Sequence, residues 1–282
     1  MCEHDDPCFA LHETDDSTDG PFMVVIRQAR LSMLVSIIVP TLNHALHLAV
    51  TLQQLREQPD VELIVVDGGS TDASADIARR FTPYVFVSHP GRARQMNEGA
   101  RHATGDILLF LHPDTFLLSG ATLELQRRII AASAVGGAFD LHMDSPRWLC
   151  RVVSRLSSVW ARLWRLPRGE QGIFVWRQVF EKIGGFPNIP ILEDGALARR
   201  LRRAGRLTFI PDGLIVSAHR WHEHGVLRTS LVDIWIRFLA FLRLPSSELR
   251  RIYDAWMSAG KVGVSVGSPR QSAGAAARNL SG

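Results

Sequence analysis

Two stretches, ELIVVDGGSTD (Glu62–Asp72) and GDILLFLHPDT (Gly105–Thr115), decide the fold of this chain. Each contains an apolar run rich in Ile, Leu and Val that ends on an aspartate among turn residues. Such runs are typical of strands buried on both faces of a parallel sheet. Ligands of open α/β sheets bind just beyond the carboxyl ends of the strands. We therefore expect Asp67 and Asp114 to face one crevice that suits a nucleotide and a divalent metal.

Strand-like and helix-like segments alternate on both sides of these stretches. This spacing indicates βαβ units with right-handed crossovers, hence an α/β protein with a mostly parallel central sheet flanked by helices, plus C-terminal helices. Strands are predicted at 35–39, at the run ending on Asp67, and at 84–88, 107–111 and 135–143. Helices are predicted at 45–57, 72–80, 92–103, 120–132, 147–166 and 231–244.

Composition limits the class of protein. The chain has 282 residues and 46% hydrophobic residues, which suffices for one large domain, placed here at 34–257. Residues 1–33 are expected to be a disordered extension or to precede the true start, and the Gly-, Ala- and Ser-rich segment 258–282 to be a disordered tail. The first twenty residues carry seven acids and no Lys or Arg, which argues against a secretory signal.

Location and charge are also predicted from composition. No apolar stretch reaches the roughly 18 residues of a membrane span, and three cysteines without metal-ligand spacing fit a reducing compartment. We expect a cytoplasmic protein, with peripheral contact on the inner face of the plasma membrane as an open alternative. The net charge of +4 rests almost wholly on arginine, which reflects either a coding bias or the binding of phosphate or anionic lipid.

Two helix starts carry charged residues that suit a site. Arg92 and Arg94 lie at a predicted helix N-terminus, where basic side chains oppose the helix dipole and hint at an anionic partner. Glu193 and Asp194 lie at another, where acids are favourable without any function. The functional alternative makes one of these acids a general base at the mouth of the crevice.

The C-terminal third holds a histidine cluster and two amphipathic helices. HRWHEHG (His219–Gly225) raises the alternative of a zinc site, but its spacing matches no common zinc signature. The helices at 147–166 and 231–244 present broad apolar faces beside arginines. They either pack on the sheet or on each other, or form a platform on a membrane surface.

Taken in order, these segments resemble the family 2 glycosyltransferases of GT-A fold. The likeness runs from about residue 35 to 228, and its motifs are SIIVPTLN (36–43), VVDGGSTD (65–72), LFLHPD (109–114), EQGIFVWR (170–177), GGFP (184–187), LED (192–194) and SAHRW (217–221). GRARQMN (91–97) and the run at 171–174 look closest to a bacterial subgroup described as carotenoid-acid glycosyltransferases.

The resemblance implies an inverting transfer of sugar from a nucleotide-diphospho-sugar, with UDP-sugars favoured, to a hydroxyl or carboxyl acceptor. It implies a divalent cation, Mn²⁺ or Mg²⁺, held by Asp114, and Asp194 as the base, with Glu193 as the fallback. Gln171 and Gly172 are expected on the acceptor side, with a lipid or carotenoid as a candidate acceptor. The expected nucleotide-binding residues are Pro40, Asn43, Asp67, Asp72, Arg92 and Arg94, and the expected diphosphate-binding residues are Arg220 and Trp221. No nucleic-acid partner is expected.

Two departures from the family pattern keep alternatives open. His44 replaces the glutamate that usually follows the opening asparagine, and His112 replaces the first acid of the Asp-x-Asp motif. A catalytically degenerate protein that only binds a nucleotide sugar is therefore one alternative. A nucleotidyltransferase is another, although the chain lacks a phosphate loop rich in glycine and lysine.

Overall fold

The computed structural model describes residues 33–258, which divide into two compact units at Ser217 and Ala218. The predicted extension before Met33 and the tail after Ser258 lie outside the described residues. Residues 33–217 belong to the first unit and residues 218–258 to the second, while the domain bounds 34–257 stay a prediction. Each unit is described by itself below.

A seven-stranded sheet forms the core of the first unit. Its order is β3-β2-β1-β4-β8-β6-β9, and only β8 runs antiparallel to its neighbours, so the predicted mostly parallel sheet is confirmed. The bounds are β1 Val35–Thr41, β2 Val61–Asp67, β3 Val85–Val87, β4 Ile107–Phe110, β6 Gly136–Phe139, β8 Ile173–Trp176 and β9 Leu207–Ile210. Every residue of β1 and β4 is buried, as expected for strands covered on both faces.

Seven helices belong to the first unit. They are α1 Ala45–Arg56, α2 Ser74–Arg79, α3 Arg92–His102, α4 Ala121–Ala131, α5 Trp148–Trp164, α6 Arg177–Lys182 and α7 Glu193–Ala204. Helix α3 packs directly on β1 and β2 because Gly99 has no side chain. A Cβ atom there would lie 2.5 Å from Cγ2 of Ile38, so even alanine would push the helix off the sheet.

The predicted strand at 135–143 is wrong in its second half. The chain leaves the large sheet after β6, and Met143–Asp144 forms a separate strand, β7. This strand joins a three-stranded sheet with β5 (Thr115–Leu117) and β10 (Leu214–Ser217), in the order β5-β10-β7. The break occurs at Asp140, whose carboxylate accepts two hydrogen bonds of 2.9 Å from Arg162 of α5.

The second unit consists of three helices. They are α8 His219–His224, α9 Val226–Phe241 and α10 Ser246–Ser258, so the helix predicted at 231–244 begins five residues earlier and ends three earlier. Helix α9 buries Val226, Val232 and Ile236, but leaves an outward apolar face. That face carries Leu227, Leu231, Ile234, Trp235, Phe238 and Phe241. Across residues 33–258, no helix is long and apolar enough to span a membrane.

Candidate active site

The carboxyl ends of β1 and β2 form the first part of the site. Asp67 ends β2 beside Thr41 of β1, and its side chain is buried within its own turn. Its Oδ2 accepts hydrogen bonds from the N–H groups of Gly69 at 3.0 Å and Ser70 at 2.8 Å, and its Oδ1 accepts one from the Ser70 hydroxyl. Asp67, which was predicted to bind the nucleoside, thus fixes the shape of the VVDGGSTD turn.

Asn43 joins this turn to the loop that follows β1. It adopts a left-handed conformation with φ of +56°, which asparagine tolerates better than most residues. Its Oδ1 accepts a hydrogen bond of 2.8 Å from the N–H of Thr71, and its own N–H donates to the Ser70 hydroxyl at 2.9 Å. Pro40, the third predicted residue of this region, is buried in β1 opposite Val66.

Asp72 caps two helices at once. Its Oδ2 accepts a hydrogen bond of 3.0 Å from the N–H of Ala45, the first residue of α1, and its Oδ1 accepts one of 2.9 Å from the N–H of Ser74, the first residue of α2. The pKa of Asp72 is lowered, mainly by a hydrogen bond with the Ser74 side chain. Desolvation opposes this effect, while the N–H groups of Ala45 and Ser74 and nearby His44 add to it. Asp72 therefore locks the two strand-end loops to one another.

Gln95 supports the ends of β1 and β2, although it is not among the predicted site residues. It lies on the buried face of α3, and its side-chain amide donates hydrogen bonds to the carbonyl of Thr41 at 2.7 Å and to that of Val66 at 2.9 Å. Both carbonyls belong to the ends of β1 and β2. The sequence offers one indication of this role: Gln95 lies between Ala93 and Met96, both of which are buried.

The end of β4 opens into a small cavity that is partly open to solvent; the empty space there, open solvent included, is about 340 Å³. It brings together three predicted site residues, Arg92, Glu193 and Asp194, from the N-termini of α3 and α7. Its full lining is Arg92, Met96, Phe110, Leu111, His112, Gly169, Ile173, Phe186, Glu193 and Asp194.

Asp194 is held in place by backbone donors. The N–H of Gly169 donates a hydrogen bond of 2.8 Å to its Oδ2, and the N–H of Gly195 donates one of 2.6 Å to its Oδ1. A Cβ atom on Gly169 would lie 3.1 Å from Nε2 of His112 and 3.6 Å from Oδ2 of Asp194. The absence of a side chain at Gly169 therefore lets the histidine and the aspartate approach each other.

His112 lies among charged groups. Desolvation of the imidazole is the main cause of its lowered pKa, and Arg92 adds to it, while Asp114, Glu170 and Asp194 act in the opposite direction. The ring is thereby kept neutral near pH 7, which leaves one nitrogen lone pair available. In the sequence His112 is a departure from a motif, whereas in the structure it lies in the wall of the cavity.

Glu193 occupies a different position from its neighbour Asp194. Its side chain is 5% exposed and its Oε1 lies 3.1 Å from Nε of Arg92, whose side chain is 51% exposed. The preceding Leu192 has φ of +63°, a conformation that costs a non-glycine residue about 1 to 3 kcal/mol and is enriched at functional sites. This ion pair joins the start of α7 to the start of α3.

The GGFP segment is bound to helix α3. Asn97 donates from its amide to the carbonyl of Phe186 at 2.8 Å and accepts from the Phe186 N–H at 2.9 Å, while Nε of Arg94 donates to Oδ1 of Asn188 at 3.1 Å. Phe186 then meets Phe110 edge-on in the cavity wall. Arg94 itself does not line the cavity.

Gln171 and Gly172 lie below the cavity. Gln171 is fully buried; its Oε1 accepts a hydrogen bond of 3.0 Å from the N–H of Arg168, and its amide donates to the carbonyl of Phe139 at 3.3 Å. Gly172 is buried with φ of +60° beside Leu111. These contacts shape the 3₁₀ turn Gly169–Gln171, which carries the N–H group that binds Asp194.

Arg220 and Trp221 lie in the second unit. Within that unit, Arg220 stacks on the Trp221 ring at 4.5 Å, pairs with Asp233 at 3.3 Å and donates to the Tyr253 hydroxyl at 3.2 Å. His219 pairs with Glu223 at 3.2 Å. Over residues 33–258, no group of three or more His, Cys, Asp and Glu side chains could hold a metal ion, and this includes the three histidines of α8.

Asp67 and Asp114 follow strands that are not neighbours. Strand β1 lies between β2 and β4, so about 10 Å, twice the usual inter-strand spacing, separates these two strands across the sheet. Asp114 is partly exposed, and its carbonyl accepts a hydrogen bond from the N–H of Ser217. A carboxylate beside a neutral imidazole suits Mn²⁺ or Mg²⁺ when diphosphate and water supply the remaining ligands, so the donor set of Asp114 and His112 fits such an ion.

A family model decides what kind of protein this is. The model described as "Glycosyl transferase family 2" matches residues 36–180, slightly more than half of the chain. The chain belongs to glycosyl transferase family 2. The match includes the loops after β1, β2 and β4, and ends before Glu193 and Asp194.

Solved glycosyltransferase structures share the fold. The mannosyltransferase PcManGT from Pyrobaculum calidifontis, in complex with GDP-Man and Mn²⁺, matches with a TM-score of 0.54 and 20% identity, over 84% of this chain and 77% of its own. S. aureus TarS in complex with UDP-GlcNAc matches with a TM-score of 0.54 and 17% identity, over 80% of this chain and 72% of its own. The fold is therefore of GT-A type, as the resemblance implied.

Curated relatives match a shorter part of the chain. A "PGL/p-HBAD biosynthesis glycosyltransferase" of Mycobacterium tuberculosis is 43% identical over 97 residues, which is 31% of this chain and 38% of the relative. "Validoxylamine A glucosyltransferase" of Streptomyces hygroscopicus is 37% identical over 112 residues, which is 36% of this chain and 26% of the relative. The chain thus spans less than two fifths of the length of these relatives.

Proposed function

We propose that this family 2 protein transfers a sugar, with inversion, from a nucleotide-diphospho-sugar to a hydroxyl or carboxyl group of an acceptor. The observation that carries the proposal is Asp194, which two backbone N–H groups hold in the wall of the cavity beside Arg92 and His112. The names of the solved relatives add support, because PcManGT was captured with GDP-Man and TarS with UDP-GlcNAc.

Asp194 is the base of this proposed reaction. As the acceptor oxygen forms its bond to the anomeric carbon, the bond from that carbon to the diphosphate breaks, and the hydroxyl proton passes to the Asp194 carboxylate. Glu193 is less suited to this role because it is buried and paired with Arg92. A carboxylate acceptor would need no proton transfer, so Asp194 would then only orient it.

The nucleoside is assigned to the loops after β1 and β2, and UDP-sugars remain the favoured donors. Pro40, Asn43, Asp67 and Asp72 form this region, in which the side chains of Asn43, Asp67 and Asp72 hold the two loops together by accepting hydrogen bonds from backbone N–H groups. Asp67 and Asp72 already accept hydrogen bonds from the protein, so we assign them the task of holding the loops in the binding shape. Arg92 and Arg94, at the N-terminus of α3, supply positive charge on the same side.

The leaving diphosphate needs neutralisation. Asp114, with His112 beside it, would hold Mn²⁺ or Mg²⁺, and when bound this ion supplies positive charge to the departing phosphate oxygens. Arg220 and Trp221 remain proposed as further diphosphate contacts. Preorganised charge of this kind is the largest contribution to catalysis in many enzymes.

The acceptor is proposed to be lipid-like, with a carotenoid acid as one form, at the cytoplasmic face of the cell envelope. Apolar faces on α5 and α9 and an aromatic cavity wall support this proposal. Neither Gln171 nor Gly172 is exposed, so we assign them an indirect role on the acceptor side. They would shape the turn that carries Gly169.

A binding protein without turnover is the second candidate. The observation that favours it is His112 in the place of the first acid of the Asp-x-Asp motif, which leaves Asp114 as the only carboxylate of that motif. Nucleotidyl transfer, the third alternative, differs in its product, which would be pyrophosphate.

A donor screen separates these candidates. Purified protein is incubated with UDP- and GDP-sugars, with and without Mn²⁺ or Mg²⁺, and donor binding is followed by the melting temperature while released nucleoside diphosphate is measured by coupled assay. Metal-stimulated release of nucleoside diphosphate supports transfer, and its loss in Asp114→Asn assigns the ion to that residue. Donor binding without release identifies a binding protein, and release of pyrophosphate identifies a nucleotidyltransferase.

A further inference from the structure

Helix α5 turns its large apolar side chains away from the body of its unit. Six of them lie on one side of the helix and are between 49% and 71% exposed: Trp148, Leu156, Val159, Trp160, Leu163 and Trp164. Contiguous apolar surface of this kind on a folded protein marks a site of interaction with a membrane or another protein. We call these six residues the outer face of α5.

The opposite side of α5 is made of small residues and packs inward. Its buried residues are Cys150, Ser154, Ser157, Ser158 and Ala161. Ser158 accepts a hydrogen bond of 2.8 Å from the N–H of Leu141 and donates one of 3.0 Å to the carbonyl of Ser154. Small side chains bring the helix close to the segment that follows β6, so the exposure of the outer face follows from how the helix is packed.

Polar contacts fix α5 in this orientation. Arg162 makes two hydrogen bonds of 2.9 Å to Asp140, Arg165 donates to the carbonyl of Gly205, and Arg202 donates to the carbonyl of Trp164. A rotation of the helix that buried the tryptophans would break the bidentate pair with Asp140 and the bond to Ser158. The outer face is thus a stable property of the first unit.

The charges beside the outer face indicate what covers it. Helix α5 contains no Asp or Glu, and Arg151 and Arg155 lie along one edge of the outer face with their side chains exposed. If two copies of α5 packed against each other, the arginines of each would face a helix with no acidic side chain to pair with. An anionic lipid surface complements both features, because lipid headgroups pair with the arginines while the tryptophans and leucines enter the boundary between headgroups and acyl chains.

We infer that α5 is a membrane-surface helix that lies in the plane of an anionic bilayer with its outer face inserted. This inference concerns where the protein docks and is independent of the proposed transfer reaction. Interfacial helices of this type combine buried apolar area with electrostatic attraction to acidic lipids. The docking surface belongs wholly to the first unit.

Vesicle flotation of the full chain tests the inference. Wild-type protein is expected to float with vesicles of phosphatidylglycerol and phosphatidylcholine, and to float less with phosphatidylcholine alone. The triple variant Leu156→Ser/Trp160→Ser/Leu163→Ser should bind at least about tenfold more weakly, since it removes three inserted side chains. Arg151→Glu/Arg155→Glu should weaken binding to the acidic vesicles by about fivefold or more for each arginine, and leave binding to neutral vesicles unchanged.

The matched control is Leu46→Ser/Val50→Ser, which removes two exposed apolar side chains from α1, elsewhere on the same unit. It should float like the wild type, and circular dichroism should show that every variant remains folded. A wild type that stays in the soluble fraction with acidic vesicles overturns the inference. The inference is also overturned if the α5 triple variant floats normally while Leu231→Ser/Trp235→Ser/Phe238→Ser on α9 does not. A third contrary result is a wild-type dimer that binds no lipid and that the α5 triple variant dissociates.

Discussion

The N–H of Gly169 donates a hydrogen bond of 2.8 Å to Oδ2 of Asp194, across 25 positions of sequence. The donor belongs to a 3₁₀ turn shaped by Gln171, and the acceptor to the first turn of α7. The bond ties the proposed base to the floor of the cavity. It also explains why a glycine stands at 169, since any side chain there would point at His112.

Gly169→Ala is expected to lower activity more than stability. Its Cβ would lie 3.1 Å from Nε2 of His112, so the turn or the imidazole must shift by a few tenths of an ångström. Such a shift moves Asp194, and small misplacements of a catalytic group can cost about 100-fold in rate. Measured kcat should fall at least tenfold while the free energy of unfolding changes by less than about 2 kcal/mol. Loss of folding in proportion to loss of activity contradicts this prediction.

Asp194→Asn should abolish most transfer and leave the donor bound. The amide cannot accept the acceptor's proton, and a general base typically contributes about 10²- to 10⁴-fold to the rate. The measurement is release of nucleoside diphosphate at saturating donor, together with the shift in melting temperature caused by the donor. The matched variant is Glu193→Gln on the adjacent residue, which weakens the contact with Arg92 and should cost about 1 kcal/mol of stability with a smaller effect on kcat. Equal rates in Asp194→Asn and wild type remove its role as base.

Much of the fold could be predicted because local apolar runs in the sequence indicate its central strands. The apolar runs at 35–39 and 107–111 each form a strand within one or two residues of the predicted bounds, and the strand predicted to end on Asp67 does end there. Strand β8 is different, since its place between β4 and β6 depends on pairing over long sequence distance, such as Leu108 with Val175. No local pattern encodes that antiparallel insertion.

The site was predictable in its charged residues and not in its supporting contacts. Arg92, Glu193 and Asp194 stand out as charges at helix starts, and the structure brings all three to one cavity. Gly169 acquires its importance only from residues far away in sequence, so no signal around it could reveal the bond to Asp194. The orientation of α5 was also open, because periodicity shows that a helix has two faces but not which one the protein buries.

Gln95→Leu is expected to destabilise the first unit strongly. It removes two buried hydrogen bonds, one to the carbonyl of Val66 and one to that of Thr41, which keeps the N–H of Gly68 as a donor at 2.9 Å. The loss of two such bonds costs about 1 to 3 kcal/mol in total. Because those carbonyls end β1 and β2, affinity for nucleotide should fall as well. Urea unfolding measures the change, and Gln53→Leu on the exposed side of α1 should stay within about 0.5 kcal/mol of wild type. A fully stable Gln95→Leu would show that the two carbonyls find other donors.

Asp72→Asn should reduce stability in a pH-dependent manner. The hydrogen bond with Ser74, assisted by the Ala45 N–H, lowers the pKa of Asp72 in the folded state below its value of about 3.9 in the unfolded chain. A carboxylate with a depressed pKa stabilises the fold above the unfolded pKa, and this contribution disappears as the pH falls through the folded pKa. The melting temperature of wild type should therefore exceed that of Asp72→Asn at pH 5 to 7, and the gap should shrink as the pH falls below the unfolded pKa of about 3.9. The control is Asp76→Asn, which removes an exposed acid from α2 and should differ less from wild type in melting temperature. A difference between wild type and Asp72→Asn that stays constant down to low pH would mean that the charge of Asp72 does not join the two loops.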